Sequence, residues 1–341
     1  MKSSLDASYR QLAARYIRRQ IRQLADQIDG IRRAEDVEFV HRARVASRRL
    51  RAAVKVFADC FRPEDVNRWV KEIRGVGRGL GDARDMDVQV GFVSDVLCRL
   101  QDPACMPGTA RVLVRCVRRR EKLQPKVLAA MSRLLSSRAL HQMLATTKKM
   151  LPEGKGAENL PPSPALFQHA QQHILARLEE LHAFRACLAD PEDYEQHHAM
   201  RIAAKRLRYT MEIYRPVYAG RSDGAIDAVK QLQTLLGEIH DCDVWVEQLD
   251  AMLQKQAKRL RSLYGHAGPL ARLKAGIEYL QQERRRHRRK LFQTLVHYWE
   301  RLDRKGAWDR LTRIVRSAGD QDGGKAAQAR RARRKPRRVL P

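Results

Sequence analysis

The chain has 341 residues and carries 68 Lys and Arg against 39 Asp and Glu, a formal net charge of +29. That length suffices for about two domains with hydrophobic cores. The charge points to polyanionic partners rather than cationic ones. The lack of any apolar run of about 18 residues argues against a transmembrane helix.

Helical periodicity dominates and no alternating strand pattern stands out, so the expected fold class is all-α. The N-terminus reads as an Arg-rich amphipathic helix, not a signal peptide, because it has no continuous apolar core. Helices are expected at Leu5–Ile28, Val37–Phe61, Pro63–Val76, Asp85–Leu100, Thr109–Leu135 and Arg138–Met150. Residues 151–164, with Pro152, Gly154, Gly156, Pro161, Pro162 and Pro164, read as a linker. Further helices are expected at Ala165–Leu188, Pro191–Tyr218, Gly224–Gly237, Asp241–Tyr264, Pro269–Arg304 and Ala307–Arg316. The domain reading is a first helical repeat over 1–150, a second over 165–316, and a disordered basic tail over 317–341. Without that tail the chain still has 60 basic and 37 acidic residues, a net of +23, so the folded body is basic in its own right. Cys60, Cys98, Cys105, Cys116, Cys187 and Cys242 show no C-x-x-C spacing. This argues against a zinc knuckle or disulfide frame and leads us to expect a reducing, cytoplasmic setting.

The two halves repeat. His41-Arg42-Ala43-Arg44-Val45-Ala46-Ser47-Arg48-Arg49-Leu50-Arg51 matches His198-Ala199-Met200-Arg201-Ile202-Ala203-Ala204-Lys205-Arg206-Leu207-Arg208 at an offset of 157. Downstream, Leu80-Gly81-Asp82-Ala83-Arg84-Asp85-Met86-Asp87-Val88 matches Leu236-Gly237-Glu238-Ile239-His240-Asp241-Cys242-Asp243-Val244 at an offset of 156. Two motifs in one order at nearly one spacing argue for a duplicated domain.

At about 100° per residue, Arg44, Arg48, Arg51 and Lys55 share one arc with His41. Leu50, Val54, Phe57 and Phe61 form the neighbouring apolar stripe. In the second repeat His198, Arg201, Lys205 and Arg208 share the basic arc, with Leu207, Met211, Tyr214 and Tyr218 on the apolar one. Glu212 replaces Lys55, so the far end of the second arc has the opposite charge. A single basic arc is commonly just solvated. Solvation does not explain like charges gathered at i, i+3 and i+4 in both halves, where they repel. An anion relieves that repulsion. Arginine's planar fork suits phosphate oxygens, and histidine adds a donor whose charge follows pH. Three further stripes are candidates for the same site: Arg15, Arg18 and Arg22; Arg111, Arg115, Arg118 and Lys122; and the dense run holding Arg284 and Arg288.

The two H-x-x-R-[VI]-A-x-[RK]-R-L-R copies and the two L-G-[DE]-x-[RH]-D-x-D-V copies resemble the CHAD family, the conserved-histidine α-helical domain, over most of residues 5–316. The resemblance implies two four-helix bundles related by pseudo-twofold symmetry, with basic residues converging on a central channel. It also implies binding of inorganic polyphosphate and association with polyphosphate granules. Residue by residue it assigns binding to His41, Arg44, Arg48, Arg49 and Arg51, and to His198, Arg201, Lys205, Arg206 and Arg208. Lys205 departs from the usual arginine and cannot bind in a bidentate way. Family members are often joined to a triphosphatase domain with an E-x-E-x-K signature, a pattern this sequence lacks.

Other constellations carry less. Asp85/Asp87 and Asp241/Asp243 are each expected to open a helix; they read as caps, or as partners that fix the basic stripe, more readily than as metal ligands. His240-Asp241 has the form of a metal phosphohydrolase dyad, but the first repeat has Arg84-Asp85 there, and arginine does not ligate a metal. Gly75, Gly77, Gly79 and Gly81 lack the strand and the G-x-x-x-x-G-K-[ST] pattern of a phosphate loop and read as a loosened helix end. No cofactor or metal is expected. Three function classes compete: polyphosphate binding, sequence-blind nucleic-acid binding supported by the basic tail, and an enzyme acting on polyphosphate. The first leads. No aromatics flank the arcs to stack bases, Phe57/Tyr214 and Phe61/Tyr218 face the core, and no nucleophile–base pair recurs.

Overall fold

The computed structural model describes residues 6–152 and 160–317; the basic tail after Ser317 and half of the Gly/Pro linker expected from the sequence, 153–159, lie outside the described residues. Among the described residues all regular structure is helical. The helices are α1 (Ala7–Ala25), α2 (Ile28–Arg33), α3 (Val37–Val56), α4 (Pro63–Arg99), α5 (Met106–Ser136) and α6 (Ala139–Lys148) in the first half. The second half has α7 (Pro164–His182), α8 (Tyr194–Tyr214), α9 (Asp223–Tyr264), α10 (Ala271–Arg304) and α11 (307–317). Side-chain caps set several starts. Asp6, Asp36, Ser163 and Asp193 accept the backbone N–H of Tyr9, Glu38, Leu166 and Gln196 at 2.9–3.2 Å. Pro63 and Pro164 occupy first-turn positions, where a missing N–H costs nothing.

The helix breaks expected near 77–84 and 238–240 do not occur: α4 and α9 each run unbroken through their L-G-[DE] motif. Each glycine inside a helix costs about 1 kcal/mol relative to alanine. Tertiary burial outweighs that here. Val76, Leu80 and Ala83 on α4, and Leu236 and Ile239 on α9, are buried on either side of the expected break. Gly79 also lets α4 approach α5, since a Cβ there would stand 2.7 Å from that of Ala130. The aspartates of the motif therefore lie mid-helix, and the capping alternative is excluded for them.

Helices α3, α4 and α5 pack successively, as do α8, α9 and α10. Across the halves α3 lies against α8 and α5 against α10. Helices α1 and α7 start at residues 7 and 164, and α3 and α8 at 37 and 194, the 157-residue offset of the sequence motif. One apolar core runs from Tyr9 to Val315 through both halves, with Leu50, Val54, Phe57, Leu207, Met211, Tyr214 and Tyr218 within it. Phe57 and Tyr214 meet edge-on across the α3–α8 boundary, their ring centroids 6.1 Å apart. A second, smaller core joins the far ends of the long helices, with Val93, Val112, Trp245 and Ile277. There Gly108 on α5 and Gly276 on α10 pass backbone to backbone. A Cβ on Gly108 would lie 2.2 Å from the Leu273 carbonyl oxygen, and one on Gly276 2.1 Å from that of Cys105.

Candidate polyanion site

Because α3 packs on α8, the basic arcs of the two halves face each other. Arg48 lies in the field of Arg44, Arg201 and Arg208. Lys205 lies in that of Arg48, Arg201, Arg51 and Arg206. Among the described residues, no carboxylate stands within 4.0 Å of the charged groups of Arg48, Arg51, Arg201 or Lys205. Burial, and then these neighbouring cations, push the Lys205 ammonium down to about 7. Burial also lowers Arg48 and Arg201, which arginine tolerates without losing its charge. The juncture thus concentrates positive charge that the protein itself leaves unneutralised.

The D-x-D motif organises the walls. Its first aspartates, Asp85 and Asp241, sit beside the arc arginines, with Asp85 Oδ1 4.0 Å from Arg44. Desolvation by the surrounding protein raises both carboxyls above the usual range although Asp85 keeps 62% of its side chain in solvent, while Arg44 and Arg201 pull them down. Its second aspartates hold arginines from the next helix. Arg120 Nε donates to Asp87 at 2.6 Å, and Arg288 Nε donates to Asp243 at 2.6 Å. The motif glycines pack against the arc: a Cβ on Gly81 would lie in ordinary contact 3.7 Å from Arg44 Nε, and one on Gly237 3.8 Å from Arg201 Nε.

His198 and His240 meet beside Arg201 and Lys205, while His41 lies beside Arg84 and Arg44. His198 Nδ1 lies 3.2 Å from His240 Nδ1, and burial followed by Arg201, His198 and Lys205 pushes His240 down to about 4. Burial and then Arg84 lower His41, while burial, Arg201 and Lys205 lower His198. Both are therefore neutral donors or acceptors near pH 7 in the free protein.

The remaining sequence candidates divide. Arg49 is clamped by Glu212 through two bonds, 2.9 and 3.1 Å, and Arg208 lies 3.5 Å from the same carboxylate. Arg206 pairs with Glu180. Arg18 donates to the Leu144 carbonyl at 2.9 Å and ties α1 to α6, while Arg15 and Arg22 line a separate 630 Å³ cleft beside Leu151 and Pro152. Arg115 borders a 250 Å³ cleft with Trp245 near the second core; Arg118 and Lys122 are exposed on α5. Arg284 lies 3.5 Å over the Phe92 ring. Arg288 is only 5% exposed and is committed to Asp243, the Pro191 carbonyl and the Tyr194 ring, so it braces α9 and α10. Reading from the sequence missed Arg74, which faces Arg51 and Lys55, and Arg120, the brace of the first half. Arg74 was detectable, since Lys230 occupies its place at the 156 offset. Arg120 was not, because its counterpart Arg288 lies 168 residues on, beyond the longer α9. Among the described residues no group of three His, Cys, Asp or Glu is placed to hold a metal ion.

The CHAD domain profile matches residues 15–250, more than half the chain and both copies of each motif. The chain belongs to the CHAD domain family. Solved structures agree at the level of fold. The crystal structure of the CHAD domain from the plant Ricinus communis superposes with a TM-score of 0.59 at 21% identity, covering 87% of this chain and 95% of that one. PptA from Streptomyces chartreusis gives 0.50 at 16% identity, covering 85% and 98%. No curated protein matches the chain. No helix among the described residues is long and apolar enough to cross a membrane.

Proposed function

We propose that this CHAD protein binds inorganic polyphosphate along the track between α3 and α8, without catalysing a reaction on it, and so associates with polyphosphate granules. One observation carries the reading: Arg48, Arg51, Arg201 and Lys205 converge from two helices with no carboxylate within 4.0 Å of their charged groups among the described residues. Each charge-assisted bond from such a group to a phosphate oxygen contributes about 1.5–3 kcal/mol before desolvation. A repeating anion with a charge on every unit suits a continuous track better than a single phosphate does. Nucleic acid is the weaker fit. Phe57, Tyr214 and Tyr218 are fully buried, and Tyr209, beside the arcs, is 6% exposed with Arg208 over its ring, so among the described residues these aromatics of the α3–α8 juncture offer no free face to stack a base.

The test is a competition at physiological salt between long-chain polyphosphate and single-stranded DNA at matched phosphate concentration. Polyphosphate wins if the reading is right, and Arg44→Glu with Arg48→Glu, or Arg201→Glu with Lys205→Glu, removes most of that binding. Equal competition by DNA, or normal binding by either charge-reversed pair, overturns it. Phosphate release from polyphosphate by the pure protein with Mg²⁺ or Mn²⁺ would remove the non-catalytic part.

A further inference from the structure

The two flanks of the α3–α8 juncture differ. At the 157-residue offset Lys55 corresponds to Glu212, Arg51 to Arg208, and Arg49 to Arg206. On one side Lys55 lies in the field of Arg51, Arg74, Arg206 and Arg177. No carboxylate stands within ion-pair distance of Lys55 or Arg51 among the described residues. Glu180 on that side takes Arg177 and Arg206, which are about half exposed, and leaves the inner arc free. On the other side the inner arc is occupied. The Glu212 carboxylate, 17% exposed, accepts two bonds from Arg49 and lies 3.5 Å from Arg208, which is 12% exposed. A cleft of about 690 Å³ opens past this clamp, and in it Arg215 is likewise held by Asp223 at 2.7–2.8 Å.

A carboxylate held bidentately by one guanidinium and touched by a second presents the donors with what a phosphate would present. We propose that Glu212 is a built-in anion mimic that closes one mouth of the track, so that a polyphosphate chain enters past Lys55 and ends at the Arg49–Glu212–Arg208 clamp. The inference rests on the polyphosphate reading and adds a direction and an end-point to it. A ligand phosphate that reached further would have to displace a partly buried carboxylate that already accepts two bonds from Arg49 and lies 3.5 Å from Arg208, and would meet its negative charge. Glu212 therefore limits how many phosphates the track neutralises.

The experiment measures binding of long-chain polyphosphate and of tripolyphosphate to the full chain over a range of salt concentrations, with folding checked by thermal melting. Glu212→Gln keeps the shape and removes the charge. It frees Arg49 and Arg208, so long-chain binding should tighten by about tenfold and its salt slope should steepen by about 2, while tripolyphosphate changes less. Lys55→Glu, at an exposed position that carries no core packing, closes the second mouth. It should weaken long-chain binding by about tenfold or more and flatten the slope. A folded Glu212→Gln protein with wild-type or weaker long-chain affinity overturns the proposal. If that variant does not fold, Lys55→Glu decides: wild-type long-chain binding by it overturns the asymmetric track. Failure of the underlying reading looks different, because the wild type then shows no polyphosphate preference and Arg48 reversal has no effect.

Discussion

Lys205 should take up a proton when the track fills. In the free protein burial and the surrounding Arg48, Arg201, Arg51 and Arg206 depress its ammonium from an ordinary 10.5 to about 7. At pH 8 it is then only about one-tenth protonated. A phosphate chain laid between the arcs cancels the repulsion and returns the group toward its ordinary value, so binding at pH 8 should draw in about 0.9 of a proton. Above pH 7 affinity should fall by up to about tenfold, or about 1.4 kcal/mol, per pH unit. The free protein should show the opposite slope. Its folded pKa lies below the unfolded one, so the penalty from this group is full below pH 7 and fades as pH rises toward 10.5. The assay is calorimetry at pH 8 in two buffers of different protonation enthalpy, whose difference in heat counts the protons. Lys205→Arg, which restores the residue found at Arg48, should bind but take up almost none. The histidines do not confuse the result, since His198 and His240 are both held low and neutral at this pH. Uptake near zero in the wild type, or unchanged uptake in Lys205→Arg, refutes the reasoning.

Arg288→Met should cost about 3–5 kcal/mol of stability, because it leaves the buried Asp243 carboxylate without its partner; a denaturant melt measures this, and whatever folds should keep polyphosphate affinity. Gly276→Val should destabilise by about 1–3 kcal/mol or more, since its side chain would be forced into the Cys105 carbonyl and the Gly108 backbone. Deleting residues 317–341 should weaken polyphosphate binding without abolishing it, as the body keeps a charge of +23 and both arcs; titration of the truncated protein against the full chain checks this.

The all-α class and the basic arc on each helix were legible because both depend on local periodicity; that the two arcs meet was an expectation from the family resemblance. Arg48, Arg51, Lys205 and Arg208 stand on one side of their helices, and the apolar stripe fixes which side turns inward. What escaped the sequence was tertiary. Glycines at 75, 77, 79 and 81 suggest a break by propensity, yet the packing of Leu80 and Ala83 carries α4 through. Asp85 and Asp87 looked like caps only while that break was assumed. Arg288 read as one cation in a dense run, and nothing local distinguishes it from Arg285 or Arg289. Only the fold places it on Asp243. Gly108 and Gly276 belong to no motif, and their crossing is visible only once α5 and α10 are packed.

The arginines of this chain sort by what neutralises them, and that sorting links fold to function. Arg120 and Arg288 are held by the second aspartate of each D-x-D motif, in sites the solvent hardly reaches, and they join consecutive helices within each half. Arg49 and Arg206 are held by Glu212 and Glu180 at the margins of the α3–α8 juncture. Those paired cations brace the frame. Arg48, Arg51, Arg201 and Lys205 sit between them at the centre, where the first aspartates Asp85 and Asp241 moderate the charge but do not cancel it. Gathering these groups opposes folding, and the apolar contact beneath them, from Leu50 and Leu207 to Phe57 and Tyr214, together with the Arg49–Glu212 pair, holds the two helices together against it. A ligand that binds the folded state alone stabilises it in proportion to its affinity. A polyanion in the track relieves a region where charge works against the fold, so binding and stability should rise together.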